Sequence, residues 1–261
     1  MITTNAPAFN GMLEIEDTAL AVSDTGGTGQ PVIYLNGCYA DTRPWKALIA
    51  ELGADFRHIT YDERARGKSK TSADYTFEAS IRDLDAVLEA TGAQQPILVG
   101  WSYGASLAAH YAERNPGRIA GVVAVDGAMP YGLTGPEGRE QITELFQKMR
   151  FLLPLVRPFG LAAKMSLAEH IEVNVEINQI CAEMAPVLQN VRVPLRYVLA
   201  SGSNLGGAED EMAAARASLD PILAANPHVT ISAQVPSNHS KILRKDFRAV
   251  AAAVRATADA V

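Results

Sequence analysis

Two kinds of hydrophobic spacing alternate along the chain. Continuous branched or aromatic runs occur at Pro31–Leu35, Phe56–Tyr61, Pro96–Gly100 and Ile119–Val125, and they read as strands buried on both faces; further strands are predicted at Leu195–Ala200 and His228–Ser232. Between several of them the apolar positions fall three or four apart. Trp45 and Leu48 do so within Thr42–Leu52, and Ile81, Leu84, Val87 and Leu88 within Phe77–Ala90, which Gly92 stops. Further helices are predicted over Ser102–Arg114, Asp210–Ala224 and about Ser240–Ala258. Near the start, Met12–Ile15 and Ala19–Val22 alternate on either side of Asp17-Thr18, the pattern of an antiparallel pair. The fold expected from this alternation is α/β, a mostly parallel central sheet flanked by helices.

The alternation stops near Met129 and resumes at Leu195. Helical patterns at Glu137–Phe151, Leu161–His170 and Ile171–Leu188 occupy the gap, together with the proline-punctuated Phe151-Leu152-Leu153-Pro154-Leu155-Val156. The organisation expected is one core made of residues 1–128 and 191–261, with a helical insertion, 129–190, lying over the sheet edge.

Composition narrows the class. Hydrophobic residues make up 48% and charged residues 20% of 261, ordinary globular values. The formal charge of −6 gives no basic field for nucleic acid. Cys38 and Cys181 lack metal-type spacing, and no metal or cofactor is expected. No run approaches the ~18 apolar residues of a membrane span, and Met1–Asp17 has neither Lys nor Arg nor a long apolar run. The expected partner is therefore a small molecule, with no membrane association and a cytoplasmic location. The glycines of Asp24–Gly29 lack the G-x-G-x-x-G spacing of a nucleotide loop.

The candidate chemistry centres on Gly100-Trp101-Ser102-Tyr103-Gly104, between a predicted strand and a predicted helix. A serine at such a turn is held in strained backbone geometry with its hydroxyl clear of the sheet, and the residues two before and two after must be small. The helix start aims its N–H groups at the point where negative charge develops in acyl transfer. Serine needs a base. Of five histidines, His58 and His228 belong to strands, His110 lies two turns into a helix and His170 in the insertion. His239 alone follows the last strand in a polar loop, Pro236–Ser240, and so emerges at the same sheet edge as Ser102.

These pieces resemble the α/β-hydrolase superfamily, over nearly all of the chain outside the insertion. Gly100–Gly104 corresponds to the nucleophile elbow, Asp62-x-Arg64-Ala65-x-Gly67-x-Ser69 to a D-x-R-G-x-G-x-S loop, and Asn36-Gly37 with Trp45 to an H-G…W segment. Asn36 replaces a usual histidine and Ala65 a usual glycine. The resemblance implies an oxyanion hole from the backbone N–H groups of Cys38 and Tyr103, and a cap formed by the insertion after the sixth strand. It also implies an acid shortly after the seventh strand, but Ala200–Gly207 has no carboxylate, only Asn204 near the usual position. The sixth-strand end, where some members carry the acid, offers Asp126, with Asp210 or Glu209 as the alternatives. Asn36, Tyr39 and Trp101 are candidates for the substrate pocket, and the Arg64/Arg66/Lys68 cluster is expected to be a solvated loop with an ion pair to Asp62.

The reading is a serine hydrolase acting on an ester, lactone or carbon–carbon bond of a largely apolar carbonyl substrate through Ser102, His239 and Asp126. Ser102 stands where the haloalkane and epoxide branches of the superfamily carry an aspartate nucleophile. Two alternatives share the scaffold: a cofactor-free oxygenase or lyase using the His–Asp pair as base, and a ligand-binding receptor without turnover.

Overall fold

A computed structural model describes residues 6–159, 162–202 and 209–260, with side chains from residue 213 in the last stretch. Eight strands are seen among the described residues: β1 (Phe9–Ile15), β2 (Thr18–Asp24), β3 (Gln30–Leu35), β4 (Phe56–Tyr61), β5 (Ile97–Trp101), β6 (Gly121–Val125), β7 (Leu195–Ala200) and β8 (Val229–Val235). They form one sheet in the order β1-β2-β4-β3-β5-β6-β7-β8. β1 and β2 pair antiparallel across the Glu16-Asp17 turn, and β2 meets β4 antiparallel; every other pairing is parallel. All the strand ends that follow β3, β5, β6 and β7 therefore point the same way, which gathers the loops after them at one edge.

The uninterrupted apolar runs are explained by cover on both faces. Alternate residues of β3 divide between two cores. Val32 and Tyr34 pack with Trp45 and Leu48 and with Val250 and Val254, whereas Ile33 and Leu35 pack with Leu84, Val87 and Leu107. The first set comes from the 3-10 turn Arg43–Trp45, α1 (Lys46–Leu52) and the C-terminal helix, the second from α2 (Phe77–Thr91) and α3 (Tyr103–Arg114). α2 begins where Thr76 accepts a hydrogen bond from the Ala79 amide and ends at Gly92 in the left-handed region.

Between β6 and β7 lie α4 (Gly135–Met149), α5 (Leu153–Val156), α6 (Leu167–Ala182) and α7 (Met184–Asn190). The sequence boundary at His170/Ile171 is corrected here: α6 is one helix, started by a capping box in which Ser166 and Glu169 satisfy each other's amides. The region expected to be one helix over Asp210–Ala224 is two, α8 (Glu209–Ala217) and α9 (Asp220–Ala225), with Pro221 in the first turn of α9. The final segment likewise divides into α10 (Ile242–Lys245) and α11 (Phe247–Ala258).

The basic loop after β4 differs from its expectation. Arg64 is buried and pairs with Asp83 and Glu16. Asp62 instead accepts the backbone amides of Thr42 and Lys68, pinning the loop after β3 to the loop after β4. A guanidinium out of water needs a carboxylate partner, and α2 supplies one in Asp83.

Candidate active site

Ser102 lies between β5 and α3 at φ 55° and ψ −116°, in the sparsely populated half of backbone space that a non-glycine residue enters at a cost. The neighbours hold it there: the Ser102 amide donates to the Val125 carbonyl at 3.0 Å, and the Ser102 carbonyl accepts from Ala105 at 3.0 Å. The small residue two positions on has a steric reason, since a Cβ on Gly104 would run into the Leu35 carbonyl at the end of β3.

Asp126 follows β6 and is also at positive φ, 45°. Its amide donates to the Val198 carbonyl and one carboxylate oxygen accepts from the Ala200 amide at 2.9 Å, so β7 fixes it from both ends. Gly127 lets this turn pass so close to the elbow that a Cβ there would strike the Ser102 backbone. The other carboxylate oxygen is 2.8 Å from His239 Nδ1. Asp126 is 1% exposed while His239 is partly open, so the carboxylate lies under the ring and the other edge of the imidazole is left toward the cleft. Trp101 braces the histidine loop, its indole N–H donating to the His239 carbonyl at 3.3 Å and its ring lying 5.5 Å from the imidazole. Of the other candidates for the acid position, the side chains of the carboxylates Glu209 and Asp210 and all of the amide Asn204 lie outside the described residues.

The loop after β3 completes one wall. Asn36 donates its backbone amide and its side-chain amide to Glu63 (3.0 and 2.8 Å), donates to the Tyr61 carbonyl (2.8 Å) and accepts from the Trp45 indole (2.7 Å). Burial lifts the Glu63 carboxyl to about 7, opposed in part by the nearby Arg66 guanidinium. Cys38 lines the cleft next to Ser102 and Tyr103; burial pushes its thiol up to about 11, so its backbone rather than its sulfur is the useful group. Tyr39, at φ 67°, turns away from the cleft: its hydroxyl donates to the His170 carbonyl (2.9 Å) and accepts from Asn174 (3.1 Å).

The cleft measures about 320 Å³. Ser102, Asp126, His239, Cys38 and Tyr103 form its floor and near wall, and Met129, Tyr131, Asn174, Ile177 and Cys181 its roof. The structure thus brings together five of the residues singled out in the sequence and leaves three outside the lining: Asn36 is a buried strut, Tyr39 a strap to α6, and Trp101 a brace. Asn174, Ile177 and Cys181 were not singled out; their wide spacing along a helix looks like ordinary core packing. Glu63 was missed as well, because a charged residue beside two arginines reads as loop surface. Of the remaining histidines, His58 is held by Tyr34 and the Gly53 carbonyl. His110 packs on Phe77 and His170 on Phe146 and Tyr39, and burial drops each imidazole to about 4. Larger hollows along α4 and beside Arg43 contain neither Ser102 nor His239.

Comparison with known proteins agrees with this architecture. The chain belongs to the alpha/beta hydrolase fold family, whose model matches residues 30–163, just over half of it. A haloalkane dehalogenase of Mesorhizobium japonicum is 29% identical over 140 residues, 53% of this chain and 45% of that protein. Epoxide hydrolase B of Mycobacterium tuberculosis is 32% identical over 124 residues, 46% of this chain and 34% of that protein. The chain spans less than half the length of these curated relatives. Among solved structures, the enol-lactonase from Burkholderia xenovorans LB400 superposes with a TM-score of 0.70 at 17% identity, covering 95% of this chain and 100% of that one. No helix among the described residues is long and apolar enough to cross a membrane.

Proposed function

We propose that the protein hydrolyses a small, largely apolar carbonyl substrate, an ester or lactone, through Ser102, His239 and Asp126. The observation that carries this reading is the 2.8 Å contact of His239 Nδ1 with a buried Asp126, in the cleft that also holds the strained Ser102. With Nδ1–H donated to Asp126, Nε2 is the nitrogen that acts as base. It takes the Ser102 proton as Oγ attacks the carbonyl carbon. The oxyanion settles against the backbone N–H groups of Cys38 and Tyr103, neither of which has another partner among the described residues. His239 then protonates the leaving group. Water, deprotonated by the same nitrogen, attacks the acyl-enzyme and returns Ser102.

The substrate class follows from the cleft. A volume of about 320 Å³ is at the small end of the roughly 300–1,000 Å³ common for ligand sites. The roof contributes Met129 and Ile177 as apolar surface and Asn174 as a polar marker. In this reading residues 129–190 act as the cap. A serine where other branches of the family carry an aspartate favours acyl transfer over dehalogenation. The lack of a carboxylate directly after β7 would favour a receptor without turnover; Asp126 at 2.8 Å from His239 supports the hydrolase reading instead.

The test is stopped-flow hydrolysis of short p-nitrophenyl esters. A burst of nitrophenol equal to the enzyme, absent in Ser102→Ala and in His239→Ala, is expected. Turnover of an activated substrate retained in Ser102→Ala but abolished in His239→Ala would instead favour the base-only chemistry.

A further inference from the structure

The stretch from α4 to Phe159 is apolar on two opposite faces, and only one is covered. Inward, Ile142, Phe146 and Leu153 pack on Ala162 and Ile171. Outward, Phe151 is 75% exposed and Leu155 and Phe159 are 68% exposed, with Leu145 and Leu152 about half open beside them. Leu152, Leu155 and Phe159 come from one short helical stretch, α5 with its N-cap and the 3-10 turn Arg157–Phe159 that follows it. Of the nine large hydrophobic side chains exposed among the described residues, these five fall within residues 145–159, so this is a patch rather than scatter. A helical segment apolar all round normally has cover all round.

Charge accompanies the patch. In a chain of net charge −6, residues 145–168 carry Lys148, Arg150, Arg157 and Lys164 and no carboxylate. Lys148 and Arg150 are exposed, and Arg150 lies 4.5 Å from the centre of the Phe151 ring. Arg157 is turned inward to the Met165 carbonyl, Lys164 to the Ser69 carbonyl, and the preceding carboxylate, Glu144, is paired with Lys148.

We propose that this face seats the protein on a bilayer containing anionic phospholipid, with Phe151, Leu155 and Phe159 entering the boundary between headgroups and acyl chains and Lys148 and Arg150 meeting the phosphates. Side chains this exposed protrude instead of lining a groove, and a fluid lipid surface accepts protrusions without a matching cavity. Five side chains also fall well short of the roughly 20 residues a side of a standard protein interface, whereas an apolar ridge flanked by bases suffices for interfacial binding. The expectation of no membrane association came from the lack of a spanning segment; lying on a surface needs none. The proposal is independent of the catalytic reading.

Co-sedimentation of the whole protein with vesicles tests it, using phosphatidylcholine alone and phosphatidylcholine mixed with phosphatidylglycerol. Wild type is expected to pellet with the mixed vesicles and stay in solution with phosphatidylcholine, and added salt weakens retention. The variant Phe151→Ser/Leu155→Ser/Phe159→Ser is expected to lose at least about tenfold in partitioning, and Lys148→Gln/Arg150→Gln about threefold. Unchanged circular dichroism establishes that both variants are folded. Wild type left in solution with both vesicle types, or pelleting equally with both, would overturn the proposal. So would a dimer in light scattering that the triple variant splits, since the face would then belong to a second copy of the chain.

Discussion

Asp126 and Asn174 face the same cleft and are held in unlike ways. Asp126 is fixed by backbone: its own amide on Val198, its carboxylate on the Ala200 amide, and a turn at positive φ that Gly127 lets close against Ser102. Asn174 sits on α6 and is fixed by side chains, donating to the Tyr39 hydroxyl and lying one turn from Asn178. The floor is thus an outcome of sheet topology and tight turns, while the roof depends on contacts that other side chains could replace. On the proposed function, chemistry placed on the floor is insulated from changes in the roof, and the roof is left to set which substrate enters.

The largest effects are expected on the floor. Ser102→Ala and His239→Ala should each lower ester turnover on the order of 10⁵-fold, since members of a triad act as a unit, with melting temperatures little changed. Asp126→Asn keeps an oxygen for the Ala200 amide but not the charge that stabilises imidazolium, so kcat should fall about 10³–10⁴-fold with KM unmoved. A fall in KM alone would break the division between floor and roof. Gly127→Ala tests the backbone itself: the clash with Ser102 displaces the elbow, and a loss of roughly 100-fold in kcat/KM with a lower melting temperature is expected.

Glu63 sharpens the comparison through pH. Its carboxyl rises from 4.5 to about 7, chiefly by burial, so the folded state holds the proton more tightly than the unfolded one. The stability this contributes is complete below about pH 4.5, declines as pH rises and is gone above about pH 7. Wild type should therefore lose roughly 2–3 kcal/mol relative to Glu63→Gln between these limits, measured by urea unfolding at several pH values. The smallest effect belongs to the roof. Ile177→Ala should change KM about tenfold across an acyl-length series while kcat stays within about threefold for the best substrate.

This difference also explains how much was legible beforehand. That Ser102, His239 and Asp126 meet at one sheet edge was readable because strand ends announce themselves as apolar runs stopping at small or polar residues, and topology does the rest. The parallel strands β3 to β7 were readable for the same reason, being largely buried on both faces, whereas the edge strand β8 leaves Thr230, Ile231 and Ser232 exposed. The roof was not. Asn174, Ile177 and Cys181 meet the site only because α6 crosses it, and nothing in a helical spacing says which face looks at a cleft. Asn36, Tyr39 and Trp101 were sought in the pocket by their closeness in sequence to its walls. Side-chain direction, set by Glu63, His170 and His239 respectively, takes them elsewhere. The α6 start is written in the sequence as Ser166-x-x-Glu169, a capping box lying inside the segment Leu161–His170 expected to be helical throughout.

The central claim is that Ser102 is an activated nucleophile driven by His239 and held in tune by Asp126. Intact-mass spectrometry after a fluorophosphonate exposure tests it most directly, with wild type, Ser102→Ala, His239→Ala and Asp126→Asn side by side. One adduct on wild type, none on Ser102→Ala or His239→Ala, and labelling at least about 100-fold slower on Asp126→Asn is the expected result. Wild-type labelling speed in Asp126→Asn, or an adduct that persists in Ser102→Ala, would contradict the claim.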